Sequence, residues 1–332
     1  MRNDEPLISV IVPVCNGQDY LENCIQSIKG QTYTNLEVVI VNNGSTDRTG
    51  EVCDGLKRDY NNVRVLTLDG QGVSAARNAG IDAAKGSLIT FVDADDRLCA
   101  GMLQALYECM IESDSDVAGC GFFIWGSEEE WRQGSAARNP TGQTVTYDTD
   151  RYLKEALLCG NSRCWSKLYR RAIFDKVRFP ENLTIGEDLL FLVRMIPYVG
   201  IVAETDYAGY GYFRNPAGAM NREFIPRYMD QVTCWQLARD EILHIDSSLD
   251  AHVTALYMMG IMLTAGKIAM LSASGRRAQK EYVRICHEKM KETMRVPGAY
   301  SRLSAGYRIK TALFLLCPNL YLFMYHLQKT VR

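Results

Sequence analysis

The chain has 332 residues, of which 47% are hydrophobic and 23% charged, with a formal net charge of -2. That length exceeds one compact core, so two regions are expected, and the composition excludes long disorder. The composition offers no net positive field and points to no basic patch, so a nucleic-acid partner is not expected. The eleven cysteines, from Cys15 to Cys317, include no C-x-x-C pair, and the His residues are few and isolated. Reduced, mostly buried thiols are expected rather than a zinc site or a disulfide framework. The polar, acidic start, Met1 to Pro6, has no signal-peptide core behind it, so a cytoplasmic location is expected.

The first third alternates cleanly. Residues 8–14 read as a buried strand, 20–29 as a helix and 36–41 as a second strand. Residues 47–60 read as a helix, with Ser45, Thr46 or Asp47 available as its cap. Strands at 63–68 and 87–92 and helices at 73–84 and 101–113 complete the pattern. Continuous apolar strands separated by helices imply an α/β fold with a mainly parallel central sheet, covered on both faces. Ligands of such sheets bind at the carboxyl ends of the strands, so the informative residues should follow each strand.

Further on, 116–123 reads as a strand and 126–146 as a polar, Gly-rich insertion or loop. Residues 149–214 are mixed, strand-like at 164–169 and helix-like at 188–195. From 222 onward helices dominate. The expected division is 1–215, with a donor half 1–100 and an acceptor half 101–215, followed by a helical region 216–332. The apolar stretch 253–271 carries Lys267 and reads as a buried core helix. The stretch 311–327 is interrupted by Pro318, Asn319 and His326. It fits a membrane-surface segment better than a transmembrane helix, and a helix packed on its own domain is an equal reading.

Three motifs follow the strands. Asn42-Asn43-Gly44-Ser45-Thr46-Asp47 combines a tight turn with a helix start, and its amides suit the edge of a nucleobase. Gly72-Val73-Ser74-Ala75-Ala76-Arg77-Asn78-Ala79-Gly80 opens a helix whose Arg77 is placed for a phosphate or a base. Asp93-Ala94-Asp95-Asp96 clusters three carboxylates, which repel one another and call for a positive partner. Mg²⁺ or Mn²⁺ with a diphosphate meets that need, because such ions take one or two carboxylates and complete their shell with phosphate oxygens and water. An acidic helix start is the competing reading. Gly70-Gln71-Gly72-Val73-Ser74-Ala75, with Asp93 about 20 residues on, also matches a dinucleotide fingerprint, so an NAD(P)-dependent oxidoreductase is the alternative. Against it, the fingerprint follows the third strand rather than the first.

Together with Ile8-Ser9-Val10-Ile11-Val12-Pro13-Val14, these motifs resemble the family 2 glycosyltransferases, which have the GT-A nucleotide-sugar-binding fold. Trp165-Ser166-Lys167-Leu168-Tyr169-Arg170-Arg171 and Gly186-Glu187-Asp188-Leu189-Leu190-Phe191 resemble acceptor-side motifs of bacterial members. The resemblance implies an inverting transfer from a nucleotide-diphosphate sugar to an acceptor hydroxyl. By it, Pro13, Val14, Cys15 and Asn16 lie against the nucleobase, and Asn43 and Arg77 reach it. Asp93 with Ala94 holds the ribose, Asp95 with Asp93 the metal, and Asp188, less favourably Glu187, is the general base. Trp165 and Lys167 fall on the acceptor side, although a buried core Trp is an equal reading. Tyr210, Tyr212 and Arg214 either close over the diphosphate or form a plain hairpin stripe. An aromatic residue commonly stands where this chain has Cys15, and Asp where it has Asn43. A lost stacking face is worth about 1–3 kcal/mol. The resemblance gives UDP-sugars as the default donor; the two departures leave guanosine and thymidine donors open, and an inactive sugar-nucleotide-binding module is a further alternative. The implied acceptor is a glycan or lipid-linked carrier in surface polysaccharide synthesis, which would place the protein on the inner face of the cell membrane.

Overall fold

The computed structural model describes residues 5–136, 142–216, 218 and 223–330. Its chain divides into two compact units. The first contains the described parts of Met1–Asn182 and Arg194–Gly218, the second those of Leu183–Val193 and Ala219–Arg332.

The first unit is built on one nine-stranded sheet. Strands β1 (Ile8–Val14) and β2 (Leu36–Asn43) are buried at every position. Runs with no polar alternation have no solvent face, so they occupy the sheet centre between helices. Each buried Val or Ile there contributes about 1.5–3 kcal/mol over an exposed one. Helix α1 (Leu21–Lys29) buries Leu21, Cys24, Ile25 and Ile28, the three–four spacing of one helical face. Helices α2 (Thr49–Asp59), α3 (Val73–Ala83) and α4 (Met102–Glu112), with strands β3 (Val63–Leu68) and β4 (Leu88–Phe91), complete the alternation. These strands lie in the order β3-β2-β1-β4, all parallel. Val14 pairs with Asn42, so the loops leaving β1 and β2 start level with each other.

The rest of the sheet is mixed. Strands β5 (Arg97–Leu98), β6 (Val117–Trp125), β7 (Thr144–Asp148), β8 (Lys167–Arg170) and β9 (Ile201–Phe213) extend it. β8 runs antiparallel to both β4 and β6, β6 is parallel to β9, and β5 and β7 are antiparallel to β9. The mainly parallel arrangement expected from the sequence thus describes the first four strands, and antiparallel pairings enter with β8. The segment read as a loop at 126–146 contains α5 (Glu128–Ala136) and β7. Helix α5 buries no residue fully, which hid its period. It is anchored by Trp131, whose ring lies 5.5 Å from those of both Phe123 and Trp125. A short α6 (Thr149–Arg151) continues as a π-helical turn, Tyr152–Leu157.

The second unit is helical. It contains the start of α7 (Glu187–Met195), then α8 (Asp230–Ile245), α9 (Asp250–Ala269), α10 (Ala273–Ala278), α11 (Lys280–Thr293), α12 (Ala299–Arg302), α13 (Ala305–Leu316) and α14 (Pro318–Thr330). Helix α9 is the buried core helix read at 253–271, and residues of α8, α11, α13 and α14 share its apolar cluster. The stretch 311–327 is two helices broken at Cys317–Pro318. Among the described residues no helix is long and apolar enough to cross a membrane. Against the boundary expected at 215/216, the first unit runs to Gly218, and Leu183–Val193, including Asp188, groups with the second unit.

Candidate active site

The site expected at the strand ends is built from four loops of the first unit. After β1 the chain turns through Asn16 in the left-handed region (φ 55°), and its side chain stabilises the turn by accepting from the Thr46 N–H at 2.8 Å. Asn16 N–H donates to Ser45 Oγ at 3.0 Å, Gly17 N–H to Thr49 Oγ1 at 2.8 Å, and Arg48 N–H to Gln18 Oε1 at 2.9 Å. The loops after β1 and β2 are therefore one hydrogen-bonded unit. None of the three capping candidates is the N-cap of α2, which is Arg48; Asp47 precedes it and accepts from Thr49 N–H at 3.0 Å. Gly44 has φ +70°, and a Cβ there would stand 2.7 Å from the Gly70 backbone, so only glycine lets the loops after β2 and β3 approach.

Asn43 ties the same two loops by its side chain. Its Oδ1 accepts from Gln71 N–H at 3.0 Å and its Nδ2 donates to the Gly72 carbonyl at 2.8 Å. A carboxylate could not make the second bond, which gives the departure at this position a structural reason. The glycines of the dinucleotide-like fingerprint are held in this clamp and follow the edge strand β3. Pro13 and Val14 are buried at the end of β1, while Cys15 and Asn16 are exposed beyond it.

The acidic loop after β4 shares its burden unequally. Asp96 is buried, and accepts from Tyr210 O–H at 2.6 Å and Phe213 N–H at 2.7 Å. The Tyr210 oxygen in turn accepts from Asp93 N–H at 3.1 Å. Burial and the nearby Asp93 and Asp95 push the Asp96 carboxyl well above the usual carboxylate range. Asp93 Oδ1 stands 3.3 Å from Nη2 of Arg77, which is 3% exposed and lies 5.2 Å from the Phe179 ring centre. Asp95 Oδ2 accepts from Asn215 Nδ2 at 2.9 Å. Part of the positive partner demanded by the cluster is thus Arg77. Tyr210 lies beneath the loop rather than over a ligand, and Asn215 was not singled out from the sequence. Their signal, an aromatic and an amide at the end of a long strand, is too common to read alone.

Tyr210→Phe is expected to lower stability by about 1–3 kcal/mol, because Asp96 loses a buried donor and Asp93 N–H its acceptor. The sign with pH follows from the raised Asp96 carboxyl. The folded state favours its protonated form, so stability falls as pH rises above the unfolded carboxylate range. Losing a donor to the ionised form deepens that fall, so denaturant titration should show a deficit that grows as pH rises through the range where the Asp96 carboxyl ionises.

Trp165 and Lys167 do not offer the contact surfaces expected of an acceptor site. Trp165 is buried, with its ring stacked 4.5 Å from Tyr210 and 5.4 Å from Tyr212, so the core reading holds. Lys167 is 1% exposed, and its ammonium donates to Asn161 Oδ1 at 2.8 Å and the Arg163 carbonyl at 2.9 Å. Burial pushes it down to about 8. Trp165 thus packs on side chains of β9, and Lys167 ties the chain at Asn161–Arg163 to β8. In the second unit Glu187 and Asp188 open α7 after Gly186, whose φ is +88° and whose added Cβ would meet Cys234 Sγ at 2.7 Å. Cys234 also donates to the Gly186 carbonyl at 2.9 Å, and Thr184 N–H donates to Asp230 Oδ2 at 2.8 Å, which fixes the start of the helix against α8.

The sequence profile described as Glycosyl transferase family 2 matches residues 9–178. The chain belongs to glycosyltransferase family 2. It is 33% identical over 216 residues to EpsJ of Bacillus subtilis, an uncharacterised glycosyltransferase, covering 64% of this chain and 62% of that one. It is 28% identical over 189 residues to a Campylobacter jejuni protein named GalNAc(5)-diNAcBac-PP-undecaprenol beta-1,3-glucosyltransferase, covering 56% of this chain and 59% of that one. The chain thus spans less than two thirds of either relative. A crystal structure of Staphylococcus aureus TarS residues 1–349 with UDP-GlcNAc superposes with a TM-score of 0.70 at 20% identity, covering 96% of this chain and 89% of that one. The fold is that of the GT-A glycosyltransferases expected from the sequence. In a family 2 chain the Gly70–Ala75 match is a local coincidence, and the oxidoreductase reading falls.

Among the described residues no group of three or more His, Cys, Asp or Glu side chains is arranged to enclose a metal. A magnesium-like ion does not require one, since it keeps water and takes phosphate oxygens from its substrate. Asp95, whose carboxylate meets a neutral amide, and the partly exposed Asp93 form a donor set of that kind; Asp96 is already held by Tyr210 and Phe213.

Proposed function

We propose that this family 2 protein is an inverting glycosyltransferase that moves a sugar from a nucleotide-diphosphate donor to an acceptor hydroxyl in surface polysaccharide or glycolipid synthesis. The observation that carries this reading is the acidic loop Asp93–Asp96, held at the carboxyl edge of a parallel sheet beside the clamped loops after β1, β2 and β3. That edge is where such sheets take nucleotides. Cys15 and Asn16 are exposed there for the base, and Arg77 stands 3.3 Å from Asp93, the residue read as holding the ribose.

Asp95 and Asp93 would hold Mg²⁺ or Mn²⁺, which supplies positive charge beside the leaving diphosphate. Asp188 takes the acceptor hydroxyl proton as that oxygen attacks the anomeric carbon, and the new C–O bond forms as the bond to the diphosphate breaks. The one displacement inverts the anomeric centre. TarS was crystallised with UDP-GlcNAc, which supports a UDP-sugar donor. The Campylobacter relative's name specifies a diphosphate-linked polyprenol glycan, which supports a lipid-linked acceptor and work at the inner face of the membrane.

A thermal-shift panel of UDP-, GDP- and TDP-sugars, with and without Mn²⁺, tests the reading. One nucleotide class should raise the melting temperature only with Mn²⁺ present, the stabilisation being about 2.7 kcal/mol at a hundredfold excess over Kd. Slow release of the nucleoside diphosphate from the same donor separates an enzyme from an inactive binding module. No shift and no release with any donor would reject the proposal.

A further inference from the structure

The helical unit carries a cleft of about 640 Å³ whose lining includes none of the residues assigned to the transfer reaction. Its walls bring Arg276, Arg277 and Lys280 from α10 and the start of α11 together with Arg284 and His287. Opposite stand Pro318 and Asn319, at the start of α14, and Phe323. Among the described residues no acidic side chain lines it. Arg284 is neutralised by Glu281 at 2.5 Å and Glu288 at 2.7 Å. Arg276 closes the end of α9 through the carbonyls of Ala269 at 3.1 Å and Leu271 at 2.7 Å. Among the described residues no salt bridge engages Arg276, Arg277 or Lys280, so three positive charges face one cavity in a chain of net charge -2.

The cleft adjoins an apolar stripe. On α14, Leu320, Phe323, Met324 and Leu327 recur at the three–four spacing of one helical face, and all four are exposed. Leu316, at the end of α13, is 86% exposed. The opposite face of α14 is already satisfied, because Tyr321 and Leu322 are buried in the unit's core. Phe323 belongs to both features, as a wall of the cleft and a member of the stripe.

We infer that this surface docks on a bilayer, with the phosphate headgroup of an anionic phospholipid in the Arg276–Arg277–Lys280 cleft and the α14 stripe in the acyl boundary. The charge pattern selects this occupant. A second copy meeting the cleft about a twofold axis would oppose like charges, whereas an anionic leaflet supplies phosphates above hydrocarbon, in the same order as the cations and the stripe.

The test is flotation of the full chain with vesicles of phosphatidylcholine alone or mixed with phosphatidylglycerol. It needs neither donor nor acceptor, so it succeeds or fails independently of the transfer reading. Wild-type protein should float with the mixed vesicles, less so at high salt, and stay behind with phosphatidylcholine. The pair Arg277→Gln and Lys280→Gln should weaken partition about 30-fold, the equivalent of about 1 kcal/mol for each charge near an anionic surface. Phe323→Ser with Leu320→Ser should abolish flotation, while an unchanged far-ultraviolet circular dichroism spectrum and melting transition show that the protein is folded. Equal flotation with both vesicle types, or an unchanged glutamine pair, would overturn the inference. So would stabilisation by inorganic diphosphate without flotation, or a concentration-dependent dimer that the Phe323 and Leu320 changes dissolve without any vesicle binding.

Discussion

Asp188→Asn is expected to slow sugar transfer about 10²- to 10⁴-fold while donor binding persists, the range over which a positioned general base contributes. The amide is nearly the same size and can still accept one hydrogen bond, but it cannot take the acceptor proton. Gly186 and Cys234, which set the first turn of α7, are untouched by the change. Glu187 is the control. Neighbours on a helix project about 100° apart, so the two acids cannot serve one hydroxyl equally. Glu187→Gln should retain most activity. Single-turnover rates with saturating donor, alongside a donor titration, separate the two effects. Activity of Asp188→Asn near that of wild type, or the larger loss in Glu187→Gln, would reassign the base.

The fold of the first unit was legible where local pattern and final environment agree. Residues 8–14 and 36–41 are apolar at nearly every position because both faces of those strands are covered, and no competing structure accounts for such runs. Helix α5 was not legible, since Trp131 is its one large apolar side chain and every other position is polar or small. The acidic loop shows the same limit within the site. In sequence Asp93, Asp95 and Asp96 are three equal carboxylates. Which of them turns inward is decided by the Tyr210 hydroxyl and the Phe213 amide, more than a hundred residues away. Asn43 read as a departure that weakens a base contact. Its two bonds to Gln71 and Gly72 show that an amide, with one donor and one acceptor, is what closes the loop. Trp165 was ambiguous for a general reason: an aromatic ring that packs on a sugar packs equally well on Tyr210 and Tyr212.

Asp95→Ala is expected to remove the Mn²⁺ dependence of donor binding and to cut turnover by at least about 10²-fold, since charge stabilisation at a leaving phosphate is worth several kcal/mol. The three acids of the loop predict three different outcomes. Asp96 is buried beneath Tyr210, so Asp96→Ala should unfold or strongly destabilise the protein before any metal effect is read. Asp93 stands beside Arg77, so Asp93→Ala leaves a buried guanidinium without that carboxylate and should lower both stability and donor affinity. Asp95 meets a neutral Asn215 amide and is partly exposed, so its loss should leave the melting temperature of the ligand-free protein nearly unchanged. That separation makes Asp95→Ala the decisive variant. Calorimetric titration of the donor with and without Mn²⁺ reads it directly: wild type should bind far more tightly with the ion, and the variant equally weakly in both. A variant that keeps the full Mn²⁺ effect would show that the ion is held elsewhere, and a wild type indifferent to Mn²⁺ would show that Arg77 and the loop amides stabilise the diphosphate without it.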